Sequence, residues 1–161
     1  MEIEMKIRGL MVDPSTNAPI VILKDVQGDT VLPIWVGLYE ANAIALEVEK
    51  ATTPRPMTHD LLKNVMQGLN ATLQRVVVTE LKDDTFYAVL WLEQDGETVT
   101  IDCRPSDAIA LALRADCPIY VNEEVLRVAK VIPNPADQAT QEELRRWLEN
   151  LNDEDLGRYK M

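Results

Sequence analysis

A chain of 161 residues with 47% apolar content can bury a core without disulfide or metal staples, which excludes a generally disordered protein. Its net charge of −11 excludes a broad basic face, so any nucleic acid must be met by a local cationic pocket. Two cysteines, Cys103 and Cys117, and one histidine, His59, exclude a zinc cage of cysteines and any multi-histidine metal site within one chain.

Glu2 to Val12 alternates Ile3, Met5 and Ile7 with Glu2, Glu4, Lys6 and Arg8, the pattern of a half-exposed strand. Asp13 to Asn17 is a turn, and Ala18 to Val26 is a second strand whose Ile20-Val21-Ile22-Leu23 run predicts burial on both faces. Gln27-Gly28-Asp29 closes a hairpin onto a third strand, Thr30 to Val36, in which Pro33 calls for an edge or a bulge. Gly37 ends that strand. Glu40 to Lys50 is a helix with Glu40 in its first turn, where a carboxylate complements the helix dipole. Pro54-Arg55-Pro56 stiffens the next connection. Thr58 caps a helix to Leu69 with Leu61, Leu62, Val65, Met66 and Leu69 on its apolar side and His59 and Asp60 in its first turn.

Leu73 to Leu81 and Thr85 to Gln94 are strands joined at Lys82-Asp83-Asp84; Trp35, Phe86 and Trp91 read as core aromatics. Asp95-Gly96 is a two-residue hairpin turn. The next strand alternates Val99, Ile101 and Cys103 with Thr100, Asp102 and Arg104 until Pro105 stops it. Ser106 or Asp107 caps a helix, Ala108 to Ala115, that is apolar on almost every side and therefore buried. After a short return at Pro118 to Tyr120, Asn122 caps a short helix to Ala129. Pro133-Asn134-Pro135 is a linker. Thr140 to Glu143 is a capping box before an amphipathic helix with Leu144, Trp147, Leu148 and Leu151 on one face.

Ala43-Ile44-Ala45-Leu46 repeats 65 positions later as Ala108-Ile109-Ala110-Leu111, and the strands before the two helices match in apolar pattern. The expected fold is α+β: internally duplicated strand-strand-strand-helix-helix units in one compact domain, residues 1–132, then a linker and a helical tail, residues 133–161. No apolar run approaches the roughly 20 residues of a membrane span, and the charged N-terminus does not read as a signal peptide. Free thiols in a reducing cytoplasm are the expected state of the cysteines. A homo-oligomer, with a dimer favoured, is the expected assembly.

Several segments in fixed order carry a resemblance: Leu32-Pro33-Ile34-Trp35-Val36-Gly37 with Glu40-Ala41, Pro54 to Leu62, Asp84-Thr85-Phe86-Tyr87-Ala88, and Ile101 to Arg114. Together they resemble the bifunctional nuclease family over residues 1–132. The resemblance implies a compact α+β domain and an attributed DNase and RNase activity.

His59 is the only imidazole and the candidate general base or acid; its other reading is a helix-start residue that holds the preceding loop. Arg55 and Arg104, beside prolines, make a candidate phosphate fork with Ser106 as a further anion contact; the alternative is structural ion pairing with Asp102, Asp107 and Asp60. Glu40, Asp102 and Asp107 are candidate ligands for Mg²⁺ or Mn²⁺, against capping for Asp107 and dipole pairing for Glu40. Asp107 also joins His59, Arg55 and Arg104 in the candidate catalytic set. No G-x-S-x-G elbow surrounds Ser106, and no phosphate-binding glycine loop suggests a nucleotide cofactor. Two functions follow: a low-specificity, metal-assisted nuclease, or a non-catalytic oligomeric binding module that uses an anion pocket.

Overall fold

Two runs of three strands, each followed by a helix, organise the chain in the computed structural model, which describes residues 1–131. The first run is β1 (Glu2–Val12), β2 (Pro19–Asp25) and β3 (Val31–Trp35), followed by α1 (Leu38–Val48) and α2 (Thr58–Gly68). The second is β4 (Ala71–Lys82), β5 (Thr85–Gln94) and β6 (Glu97–Cys103), followed by α3 (Pro105–Ala115), β7 (Ile119–Asn122) and α4 (Glu123–Val131). The fold is α+β, as expected. The second run departs from the expected unit, because β7 stands between its two helices. The predicted linker and tail helix lie outside the described residues.

All seven strands form one sheet in the order β3-β2-β1-β7-β4-β5-β6. Each run is an antiparallel meander that grows outward from the centre. β7 closes the middle, antiparallel to β1 and parallel to β4. The turns follow from local chemistry. Asp95 and Gly96 both take positive φ, 52° and 81°, which matches the twist of a tight hairpin. Asp83 and Asp84, at 52° and 60°, do the same without glycine. Pro33 sits in β3, an edge strand, where its missing N–H removes no ladder bond from a further neighbour.

One face of the sheet carries the main core. Leu10, Val21, Leu23, Ile34, Val76, Val78, Leu90 and Val121 meet Ala41, Ile44 and Ala45 of α1, most of α3, and Val125 and Leu126 of α4. Residues Pro19 to Leu23 of β2 are all buried, as their unbroken apolar run predicts. Met11, Ile20 and Ile22 form a smaller cluster with Val31. Alanines at 41, 45, 108 and 112, all buried, let α1 and α3 lie side by side.

Two expectations are corrected. Trp35 is 51% exposed, because its indole N–H donates to Asp13 Oδ2 at 3.0 Å at the rim of the sheet. That bond, second to one from the Ser15 hydroxyl, holds the Asp13 carboxyl well below the ordinary carboxylate range. Trp91 is half-buried beneath the Arg75 guanidinium, 4.5 Å from its ring centroid, and Arg75 also pairs with Glu2. Of the three aromatics only Phe86 packs on the core. Unlike α1 and α3, α2 buries none of its eleven residues.

Candidate active site at three helix N-termini

The first turns of α1, α2 and α3 share a pattern that the sequence does not advertise. Their N-caps are Gly37, Met57 and Arg104, all in extended backbone and none capping through its side chain. The third helical residue is an acid each time: Glu40, Asp60 and Asp107. A carboxylate there faces the unpaired amides and the positive end of the dipole. The expected caps, Thr58 and Ser106 or Asp107, are therefore inside their helices. In α3 the reason is Pro105, whose fixed φ and missing N–H suit the first helical position. The N-caps of α1 and α3 are 67 residues apart (104 − 37), so the tetrapeptide echo at 65 is two residues out of step with the helix starts.

Side chains from all three turns meet in one chain of contacts. His59 Nε2 lies 2.9 Å from Asp107 Oδ1. Arg104 donates from Nε to Asp107 Oδ2 at 2.9 Å and from Nη2 to Asp107 Oδ1 at 3.2 Å. Its Nη1 reaches across to Glu40 Oε1 at 2.8 Å. Burial works to raise the Asp107 carboxyl, but the bonds from Arg104 and His59 prevail and hold it below the usual range. Asp107 is thus an ionised acceptor, and His59 Nε2 is the donor in their bond. Glu40 is likewise held down, first by its own backbone amide and then by Arg104. Gly37 makes this possible, since a Cβ there would collide with Glu40 Oε2.

A second guanidinium lies deeper. Arg114, with its side chain 3% exposed, donates from Nε to Asp60 Oδ1 at 2.8 Å, from Nη1 to the Ala110 carbonyl at 2.9 Å, and from Nη2 to the Ala43 carbonyl at 3.0 Å. The other Asp60 oxygen accepts the Met57 amide at 2.9 Å. Burial opposes ionisation of Asp60, yet the Met57 amide and Arg114 outweigh it and lower its pKa. One residue away, His59 is held where Asp107 can reach it. Arg114 therefore positions α2, and with it the imidazole, through Asp60.

A family profile described as the bifunctional nuclease domain matches residues 21–134. The chain belongs to the bifunctional nuclease domain family. It is 40% identical over 136 residues to an uncharacterized protein of Mycobacterium tuberculosis, covering 84% of this chain and 81% of that one. It is 29% identical over 116 residues to Bifunctional nuclease 1 of Oryza sativa subsp. japonica, and 30% identical over 109 residues to Bifunctional nuclease 1 of Arabidopsis thaliana. Those plant matches cover 70% and 65% of this chain but only 35% and 34% of the plant proteins.

Within this bifunctional nuclease domain, His59, Arg104, Asp107 and Glu40 come together from the expected set. Three other candidates do not join them. Arg55 is exposed on the loop before α2, where its carbonyl accepts the Thr53 hydroxyl. Ser106 is buried at 6% exposure in the first turn of α3. Asp102 is exposed on β6 and alternates with Cys103, which packs on the core, so it faces away from the helices. Among the described residues no three His, Cys, Asp or Glu side chains are arranged to hold a metal ion. Arg104 itself bridges Glu40 and Asp107, so these residues do not fit the expected Mg²⁺ or Mn²⁺ site. The two thiols are free and half-buried. Burial, reinforced by Asp107 and Asp102, pushes Cys103 up to about 12, which leaves it no nucleophile. Sequence reasoning missed Arg114; its signal was the single charge between Ala108 and Ala115. No helix among the described residues is long and apolar enough to cross a membrane.

Proposed function

We propose that this domain hydrolyses phosphodiester bonds of DNA and RNA with low sequence specificity where the first turns of α1, α2 and α3 meet. The observation that carries the proposal is the His59–Asp107–Arg104–Glu40 chain, which joins residues far apart in sequence. With the proton on Nε2 bound to Asp107, His59 keeps its Nδ1 lone pair to accept a proton from an attacking water. Arg104 is 63% exposed and commits three of its five N–H groups to Asp107 and Glu40, leaving two for a phosphate oxygen. Arg55, exposed four residues before His59, supplies a second cation along the strand. The substrate class comes from the family, and the plant nucleases extend well beyond the matched region.

The experiment is hydrolysis of labelled single-stranded DNA and RNA by the full chain, in Mg²⁺, in Mn²⁺ and in EDTA. His59→Ala should lower the rate by about 10² to 10⁴-fold, the usual contribution of a general base. Equal rates for the native chain, His59→Ala and Arg104→Ala would overturn the reading. A requirement for Mg²⁺ or Mn²⁺ would place a metal in the reaction despite the present arrangement of acids.

One observation favours a non-catalytic binding module instead. The cluster sets two carboxylates against one guanidinium, which disfavours a polyanion and suits a module that holds a single anion or a partner at the same junction. Nucleic-acid binding whose affinity does not change with salt would support that second reading, because few phosphates would then be contacted. The mirrored strand order and the paired acids Glu40 and Asp107 also support an internal duplication. Two free thiols suit a reducing cytoplasm. Residues 133–161 are read as a separate tail.

A further inference from the structure

The two edges of the sheet are not alike. β3 is five residues long and carries Pro33, a natural guard against further pairing. β6 is seven residues long, has no proline, lysine or bulge, and six of its seven residues are exposed. Its Thr98-Val99-Thr100-Ile101 run is β-branched throughout, so it is well suited to a strand, and among the described residues no strand pairs with its outer edge.

Beside this edge lies a second unfinished surface. The start of α2 meets the residues after β6 through His59 and Asp107, and the end of α2 meets the end of β5 where Gln94 Nε2 donates to the Leu69 carbonyl at 2.8 Å. Gln94 pairs with Glu97, the first residue of β6, so α2 runs alongside β6 in the opposite direction. Leu61, Leu62, Val65 and Leu69 of α2 are 56%, 43%, 48% and 62% exposed. Val99 and Ile101, opposite the core residues Leu92 and Leu90, are 40% and 45% exposed. The helix and the strand thus each carry exposed apolar side chains near the same edge of the sheet.

We propose that a second copy of this chain docks here, β6 against β6 in antiparallel register about Thr100, with α2 beside α2. The strand is complementary to itself in that register. Val99 faces Ile101 on the helix side, and Thr98 faces Asp102 on the open side as hydroxyl donor to carboxylate. Glu97 faces Cys103, next to the exposed cation of Arg104, and no acid lies opposite an acid. A two-fold axis through Thr100 keeps both α2 helices on the same face, so the apolar side chains of the two copies become neighbours and one sheet runs through both. The edge is closed and those side chains are covered in a single contact. The inference does not depend on the nuclease reading.

The test uses the full chain. Light scattering after size exclusion at tens of micromolar should give the mass of two chains, and a Thr100→Cys variant should form a disulfide-linked dimer on mild oxidation. The double variant Val65→Lys, Ile101→Lys changes two half-exposed side chains and should give a monomer with unchanged circular dichroism. A monomeric native chain would overturn the proposal and leave the tail or another protein as the cover. A dimer that neither cross-links through Thr100→Cys nor weakens in the lysine variant would also overturn it, since the contact would then lie elsewhere. If the lysine variant fails to fold, the cross-link alone decides.

Discussion

Arg104 and Arg114 stand ten residues apart at opposite ends of α3, and each binds an acid at the third position of a neighbouring helix. Their surroundings differ completely. Arg114 is 3% exposed and its contacts are an acid and two carbonyls, while Arg104 is 63% exposed and its contacts are two acids. A buried guanidinium whose partners are backbone carbonyls is part of the framework, because any ligand would have to break those bonds in a low-dielectric interior. An exposed one keeps donors in water and can exchange a carboxylate for a phosphate at little cost. The same residue type is thus a clamp at one end of the helix and a candidate working group at the other.

The largest expected effect tests the clamp. Arg114→Met strands the Ala43 and Ala110 carbonyls and leaves Asp60 without its cation, at a cost of about 3 kcal/mol in urea unfolding. Arg104→Ala should cost less than about 1 kcal/mol, because exposed ion pairs contribute little, yet it should lower nuclease activity at least tenfold. A stability loss at Arg104 equal to that at Arg114 would erase the distinction between the two.

Acid sharpens the comparison further. Asp60 and Asp107 have folded pKa values below the ordinary 3.8, so each favours the folded state when ionised. That stability is fully present above 3.8 and is lost as pH falls through the folded values. Unfolding free energy should therefore drop below about pH 4, and Asp60→Asn should flatten the drop more than Asp107→Asn, because Asp60 serves the buried clamp. Equal slopes for the two variants would contradict the clamp. The smallest effect belongs to Gly37→Ala. It forces the flexible end of Glu40 aside with a stability change under about 1 kcal/mol, and frees the Arg104 Nη1. A crystal structure of that variant with the Glu40–Arg104 bond intact would show that the bare glycine is dispensable.

Much of the fold was legible because strand signals are local. β1, β2 and β5 appear within a residue or two of their expected ends, and the hairpin at Asp95-Gly96 follows from two residues. Helix starts were less legible. Thr58, Ser106 and Asp107 look like caps, but Met57 and Arg104 take that position because the acids at the third helical residue and Pro105 already serve the first turn. The spacing in α2 gives it an apolar side, and that side is largely exposed. Periodicity reports which residues share a face, not whether anything lies against it.

The order of apolar and polar residues by itself determined six strands, a short return where β7 lies, the helices α1 to α4 and the turns, and a resemblance of ordered segments pointed to the family. These are short-range matters, settled by side chains a few positions apart. Only the tertiary structure decided that Glu40, His59, Arg104 and Asp107 meet while Arg55, Asp102 and Ser106 stand apart. That outcome depends on how α1, α2 and α3 lie across the sheet, and the packing of small alanines and the reach of one buried arginine fix it over distances that no local pattern records.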